Sequence, residues 1–194
     1  YQNKKTTEVS WFQAKPTISL ELIAALGLEK SAAIIDIGGG DSLLVDFLLA
    51  EGYSNITVLD ISEKAIARAK ERIGKQAHKV QWIVSDVLDF MPKNSFDVWH
   101  DRAAFHFITS QSDVAKYMEC CNNTLVANGT VLLGTFSKTG PKKCSGIPIV
   151  QYSEATLTSL FAPWFKKQSA LHHVHQTPFE TSQDFLFCSF KKQP

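Results

Sequence analysis

Five short apolar runs constrain the fold of this chain more than any other feature. They are "AAIIDIG", "NITVLD", "KVQWIVSD", "SFDVWHD" and "GTVLLGTFS". Continuous apolar runs of this length, rich in β-branched residues, suit strands buried on both faces, as in a parallel sheet. The segments between them change period. "SLLVDFLLAEG" places Leu43, Leu44, Phe47 and Leu48 at helical spacing and stops at Gly52. Ser62 is a natural cap for "EKAIARAKERIG", whose stripe is Ile66, Ala69 and Ile73. Ser110 and Asp113 make a capping box for a helix through Leu125. A further helix, "PTISLELIAALGL", precedes the first strand, with Pro16 in its first turn and Leu20, Ile23, Ala24 and Leu26 near one face.

Strands alternating with helices predict an α/β, Rossmann-like, doubly wound sheet with ligands at the carboxyl ends of its strands. After the fifth strand comes a helix, "EATLTSLFAPW", and then two extended runs, "KKQSALHHVHQ" and "DFLFCSFKK", with no helix between them. They should pair as an antiparallel hairpin, giving a mostly parallel seven-stranded sheet. The chain of 194 residues suits one domain. Residues 1–28 read as an N-terminal lid and helix, 29–136 as a ligand-binding core, and 137–194 as a C-terminal helix and hairpin.

The turn "IIDIGGGDS" follows the first strand. The dinucleotide fingerprint is G-x-G-x-x-G, and Gly38 and Gly40 meet its first two positions. The third falls on Leu43, which argues against NAD, because glycine there lets the helix pack close to a pyrophosphate. No GxxxxGK[ST] is present, which removes a P-loop. What remains is D-x-G-x-G-x-S. Asp36 ends the first strand, where a carboxylate can organise the loop or face an ammonium. Gly38, Gly39 and Gly40 let a ligand approach the backbone, and the following helix start favours a ligand carboxylate. Asp60 ends the second strand, where it can accept both hydroxyls of a ribose or merely cap the next helix. Asp86 follows the third, where it can accept from an adenine amino group or simply shape a turn.

Ribose, adenine and an amino-acid headgroup together describe S-adenosylmethionine. In order along the chain, "IIDIGGGDSLLVDFLLAEGYSNITVLDIS", "VQWIVSDVLDF" and "SFDVWHDRAAFHF" resemble the successive motifs of class I S-adenosylmethionine-dependent methyltransferases. Ser42 stands where the last glycine of the motif is more usual. The resemblance implies that Asp36, Gly38, Gly39 and Gly40, with His100 nearby, hold the methionine part. It assigns Asp60 and Ile61 to the ribose, Asp86 and Val87 to the adenine, and S-adenosylhomocysteine as the product.

The acceptor side falls after the fourth strand, at "WHDRAAFHFIT". The Asp-Arg-Ala-Ala run is similar to thiopurine and thiol S-methyltransferases, whereas "EVSWFQ" and the glycine region are also similar to eukaryotic protein-lysine methyltransferases. The expected acceptor is therefore a small molecule with a soft nucleophile, with a protein lysine as the alternative. A non-catalytic S-adenosylmethionine-binding protein is a third reading. His106 is a candidate base or orienting group, or else a buried histidine bonded to backbone. Asp101 and Arg102 are either catalytic or a structural ion pair. Trp11, Phe12, Gln13 and Phe105 are candidates for a lid and acceptor wall that excludes water.

Net charge is +1, which gives no sign of a nucleic-acid footprint. The lysine pairs 142–143 and 191–192 read as solvated charges. Cys120, Cys121, Cys144 and Cys188 include no CxxC and read as reduced thiols of a cytoplasmic protein. No signal-peptide pattern or membrane-length apolar run appears. His172, His173 and His175 invite a metal, but no Cys or carboxylate completes the spacing, and no metal is expected.

Overall fold

The computed structural model describes residues 9–193, so the first eight residues of the 1–28 segment lie outside the described residues. In chain order the elements are α1 (Thr17–Ala25), β1 (Ala33–Ile37), α2 (Leu44–Ala50), β2 (Asn55–Asp60), α3 (Glu63–Ile73), β3 (Val80–Val84), β4 (Phe96–Arg102), α4 (Gln111–Thr124) and β5 (Leu125–Phe136). A two-residue ribbon follows, β6 (Lys143–Cys144) with β7 (Ile147–Pro148), then α5 (Glu154–Phe161), β8 (Phe165–Gln176) and β9 (Ser182–Lys192). The main sheet has seven strands in the order β3-β2-β1-β4-β5-β9-β8. β1 to β5 run parallel, while β9 is antiparallel to both β5 and β8. The order reverses between β1 and β4, which opens a crevice at the carboxyl ends of the strands.

Strand alternation divides the core in two. Ile34, Ile56, Val58, Val98 and Leu132 face one side, against Leu20 and Ile23 of α1 and Leu44, Val45 and Leu48 of α2. Ile35, Ile37, Trp99, Val131 and Leu133 face the other, against Tyr117, Met118 and Cys121 of α4 and Leu157 and Phe161 of α5. Three helix starts follow from their sequence. Ser62, Ser110 and Ser153 accept from the backbone N–H three residues on, at 3.2, 3.1 and 3.2 Å.

Several expectations shift. Pro16 is the N-cap of α1 rather than part of its first turn, and Ala24 is exposed while Ser19 takes a place on the buried face. Lys192 is no solvated tail charge. Its Nζ donates to the carbonyl of Leu125 at 2.7 Å and to that of Asn122, tying β9 to the end of α4. On β8, His173 and His175 share a face with Phe187 and Phe185, while His172 points the other way, toward Asp184. All four cysteines are free. No helix among the described residues is long and apolar enough to cross a membrane.

Candidate active site

A cavity of about 630 Å³ opens at the carboxyl ends of β1 to β4. The glycine turn forms its floor, and each glycine has its own reason. Gly38 adopts a left-handed φ of +69°, which costs an L-residue strain. A Cβ on Gly39 would fall 2.2 Å from Asp36 Oδ2. One on Gly40 would fall 2.7 Å from Ala65 Cβ and 2.8 Å from Asp60 Oδ2. The turn is further tied to α3 by two arginine forks: Arg68 to Asp41, and Arg72 to Asp46 and the Ser42 carbonyl.

Asp36 is buried at the end of β1, directly beside His100 in the β1–β4 register. His100 Nδ1–H donates to Asp36 Oδ1 at 2.7 Å, and its Nε2 pairs with Ser19 Oγ at 2.8 Å. This leaves Asp36 Oδ2 buried with no hydrogen-bond partner among the described residues. A buried carboxylate oxygen held in this way is an acceptor set for a cationic or donor group. Ser19 gives no signal in the sequence beyond breaking the apolar face of α1.

Asp60 accepts from Gly40 N–H at 2.9 Å and from Ser62 N–H at 2.8 Å. Burial raises its pKa above the ordinary carboxylate range, and those two backbone N–H groups work against the rise. Each oxygen keeps a further lone pair for a ligand. Asp86 serves the turn as well, through Oδ1, which accepts from Leu88 N–H at 2.9 Å. Asp36, Gly38, Gly39, Asp60, Ile61, Asp86, Val87 and His100 all line the cavity. Gly40 is absent from its wall and acts by bonding Asp60. Ile61 is 70% exposed, an apolar side chain at the mouth awaiting a flat partner.

The residues after β4 separate sharply. Arg102 and Trp11 line the cavity; Asp101, Phe105 and His106 do not. Successive strand residues point to opposite faces, so Asp101 and Arg102 form no ion pair. Asp101 is fully buried toward α4, where Oδ2 accepts from Tyr117 O–H at 2.7 Å and Oδ1 from the N–H groups of Ala104 and Phe105. Trp99 Nε1–H donates to the same Tyr117 oxygen at 2.8 Å. Burial lifts the Asp101 pKa to about 6. These bonds fix the turn that follows β4.

His106 is also buried, with Nδ1 accepting from Phe136 N–H and Nε2 left without a partner among the described residues. Desolvation, and after it the charge of Arg102, lowers its pKa to about 3. It is packed between Phe107 and Phe136 rather than aimed at the cavity. Phe105 belongs to the core, ringed by Tyr117, Tyr152 and Phe161. Phe107 is the aromatic of this turn that faces the cavity, and Cys144 and Ile147 reach it from the ribbon after β5. Trp11 roofs the site, held where Arg102 Nη1–H donates to its carbonyl at 3.1 Å and His175 Nε2 meets the Ser10 carbonyl at 3.0 Å. Phe12 and Gln13 are half-buried beside it and do not line the cavity.

A parallel sheet reversing between β1 and β4, a glycine turn and acids at three successive strand ends define a Rossmann-like nucleotide-binding α/β unit. Comparison with known proteins agrees. The family described as "Methyltransferase domain" matches residues 34–129. Malonyl-[acyl-carrier protein] O-methyltransferase 2 of Ilyobacter polytropus is 28% identical over 111 residues, which are 57% of this chain and 41% of that protein. Trans-aconitate 2-methyltransferase of Mycobacterium tuberculosis is 30% identical over 95 residues, 48% of this chain and 34% of that protein. The chain thus spans well under half the length of either relative. Among solved structures, the Burkholderia thailandensis 1,6-didemethyltoxoflavin-N1-methyltransferase, with 1,6-didemethyltoxoflavin and S-adenosylhomocysteine bound, superposes with a TM-score of 0.74 at 19% identity. The match covers 92% of this chain and 78% of that one, a likeness of fold. Residues 34–129 thus match the methyltransferase-domain family, within a chain that has the fold of class I S-adenosylmethionine-dependent methyltransferases.

Proposed function

We propose that this protein transfers the methyl group of S-adenosylmethionine to a small-molecule acceptor, a thiol or other soft nucleophile, and releases S-adenosylhomocysteine. The observation that carries the reading is the row of carboxylates along one cavity. Asp86, Asp60 and Asp36 stand at the ends of β3, β2 and β1, with a glycine turn that no side chain could share. The residues fit the cofactor. Asp36 Oδ2 is an orphaned acceptor suited to the methionine ammonium, Asp60 to the ribose hydroxyls, and Asp86 with Val87 to the adenine. Exposed Ile61 at the mouth suits the face of a base. When bound, the cofactor supplies a methyl group activated by a sulfonium.

The protein's own part is positioning. His100 and Ser19 orient Asp36, the Gly40 and Ser62 N–H groups orient Asp60, and Trp11 covers the cavity and excludes water. Displacement at a methyl carbon needs alignment more than a dedicated base. That suits a site where His100 is engaged by Asp36 and Ser19, and His106 is turned away with its basicity suppressed. The core of residues 29–136 carries the acids, the glycine turn and His100, and the flanking segments supply Ser19 and the roof.

A small acceptor is favoured over a lysine by Arg102. This buried cation in the cavity wall would repel a lysine ammonium. The names of two of the compared proteins, which specify trans-aconitate and 1,6-didemethyltoxoflavin, lend support. The test is to incubate the protein with radiolabelled methyl donor and cell extract, alongside calorimetry with S-adenosylhomocysteine. Label in the small-molecule fraction is expected. Label confined to protein would overturn the acceptor class, and cofactor binding with no label anywhere would leave a binding protein instead of an enzyme.

A further inference from the structure

Arg102 is a buried cation with too few partners. Its Nη1 donates to the Trp11 carbonyl, but Nε and Nη2 are buried with no hydrogen-bond partner among the described residues. No ion pair is formed by it among the described residues. Its guanidinium lies 4.8 Å from the centre of the Phe185 ring, an apolar bed. Desolvation lowers its pKa to about 10, so it stays charged at neutral pH. Removing a guanidinium from water without an anion is costly, and protein interiors rarely tolerate it. Beside it, the indole Nε1–H of Trp11 is a third buried donor with no partner among the described residues, and both residues line the same cavity.

Strand order gives this cluster its place. Asp86, Asp60 and Asp36 follow β3, β2 and β1 across the sheet, in the order adenine, ribose, methionine. Arg102 comes next, on β4, and reaches past β5 to Phe185 of β9. It therefore stands beyond the methionine end, where the walls are Phe107, Ala103, Cys144 and Ile147. An acceptor seated there meets an apolar surround and one fork of N–H donors with no carboxylate bonded to it among the described residues, Asp36 acting on that charge only at a distance. That fork matches a carboxylate in geometry as well as charge.

We propose that the acceptor carries a carboxylate on an apolar body, held by Arg102 with help from the Trp11 indole N–H, while a different atom of the acceptor receives the methyl group. This rests on the cofactor reading above. It makes Arg102 a specificity-determining residue, and it predicts weaker binding of a neutral compound of the same shape.

The experiment uses the full chain saturated with S-adenosylhomocysteine. Benzoate, trans-aconitate and malonate are titrated by calorimetry, with benzamide as the neutral match to benzoate. We expect at least one carboxylate to bind. We also expect benzamide to bind at least tenfold more weakly than benzoate, and Arg102→Gln to abolish carboxylate binding while leaving S-adenosylhomocysteine affinity within threefold. Equal binding of benzoate and benzamide, or no binding of any of the three carboxylates, overturns the proposal; neither readout needs the variant to fold. The cofactor's own carboxylate is the rival source of the anion. If Arg102→Gln weakens S-adenosylhomocysteine tenfold or more yet leaves 5′-methylthioadenosine unchanged, Arg102 serves the cofactor and the acceptor claim is wrong. Failure of the wild-type chain to bind S-adenosylhomocysteine at all would instead sink the cofactor reading.

Discussion

Replacing Asp60 by alanine removes a carboxylate that already organises two backbone donors. Gly40 N–H at 2.9 Å and Ser62 N–H at 2.8 Å both lose their acceptor, so the glycine turn and the start of α3 loosen together. A bound ribose would lose its hydrogen bonds to a charged group, each contributing roughly 1.5–3 kcal/mol. Water can reach part of the opened space, so the net loss should be about 2–4 kcal/mol, or roughly 30- to 1000-fold in affinity. Calorimetry with S-adenosylhomocysteine reads this directly. Glu51→Ala is the control, since it also deletes one negative charge, but from an exposed position away from the cavity wall. It should bind within threefold of wild type. Because burial raises the Asp60 pKa, wild-type affinity should also fall earlier on acidification than an ordinary aspartate would allow. Normal binding by a folded Asp60→Ala variant would refute the placement of the ribose.

Two further substitutions probe the frame around the site. Gly40→Ala would press a methyl group to 2.7 Å from Ala65 Cβ on α3, which cannot swing aside. It should cost roughly 1–3 kcal/mol in thermal unfolding and at least tenfold in cofactor-product affinity, and an unchanged melting temperature would contradict the packing argument. Tyr117→Phe orphans Asp101 Oδ2 and Trp99 Nε1 in the core, so denaturant unfolding should show a loss of roughly 2–4 kcal/mol. Asp101 also imposes a pH dependence. Its folded pKa of about 6 exceeds the reference 3.8, so its contribution is full below about pH 3.8 and is lost as pH rises through 6, by up to roughly 3 kcal/mol. Asp101→Asn should flatten the stability curve over that window, and an unchanged slope would show that another group sets it.

The parts of the site that could be read from sequence are those fixed by strand ends. Asp36, Asp60 and Asp86 each close an apolar run, and a residue in that place must point into the crevice whatever packs around it. The glycine turn was legible for a similar reason, since contiguous glycines mark a close approach of backbone to something. The segment after β4 was not. "FHF" forms a 3-10 turn, in which neighbouring side chains spread in different directions. Sequence alone could not tell that Phe107 would face the cavity while Phe105 and His106 sank into the core. The Asp101–Arg102 pair misled because adjacency in sequence means separation across a sheet. Ser19 was hidden for another reason. It lies on an otherwise unremarkable helix, and only the tertiary fold brings it to β1 and β4.

The contacts that hold Trp11 in place span long stretches of the chain: His175 to Ser10, 165 residues apart, and Arg102 to Trp11, 91 apart. Synthesis proceeds from the N-terminus, so Ser10 and Trp11 leave the ribosome long before β8 exists to grip them. The acidic row and the glycine turn can assemble as soon as β1 to β4 are out. Arg102 can hold Trp11 as soon as β4 is in place, whereas the second tie, through His175, must wait for the hairpin, so the crevice forms before its cover is fully fastened.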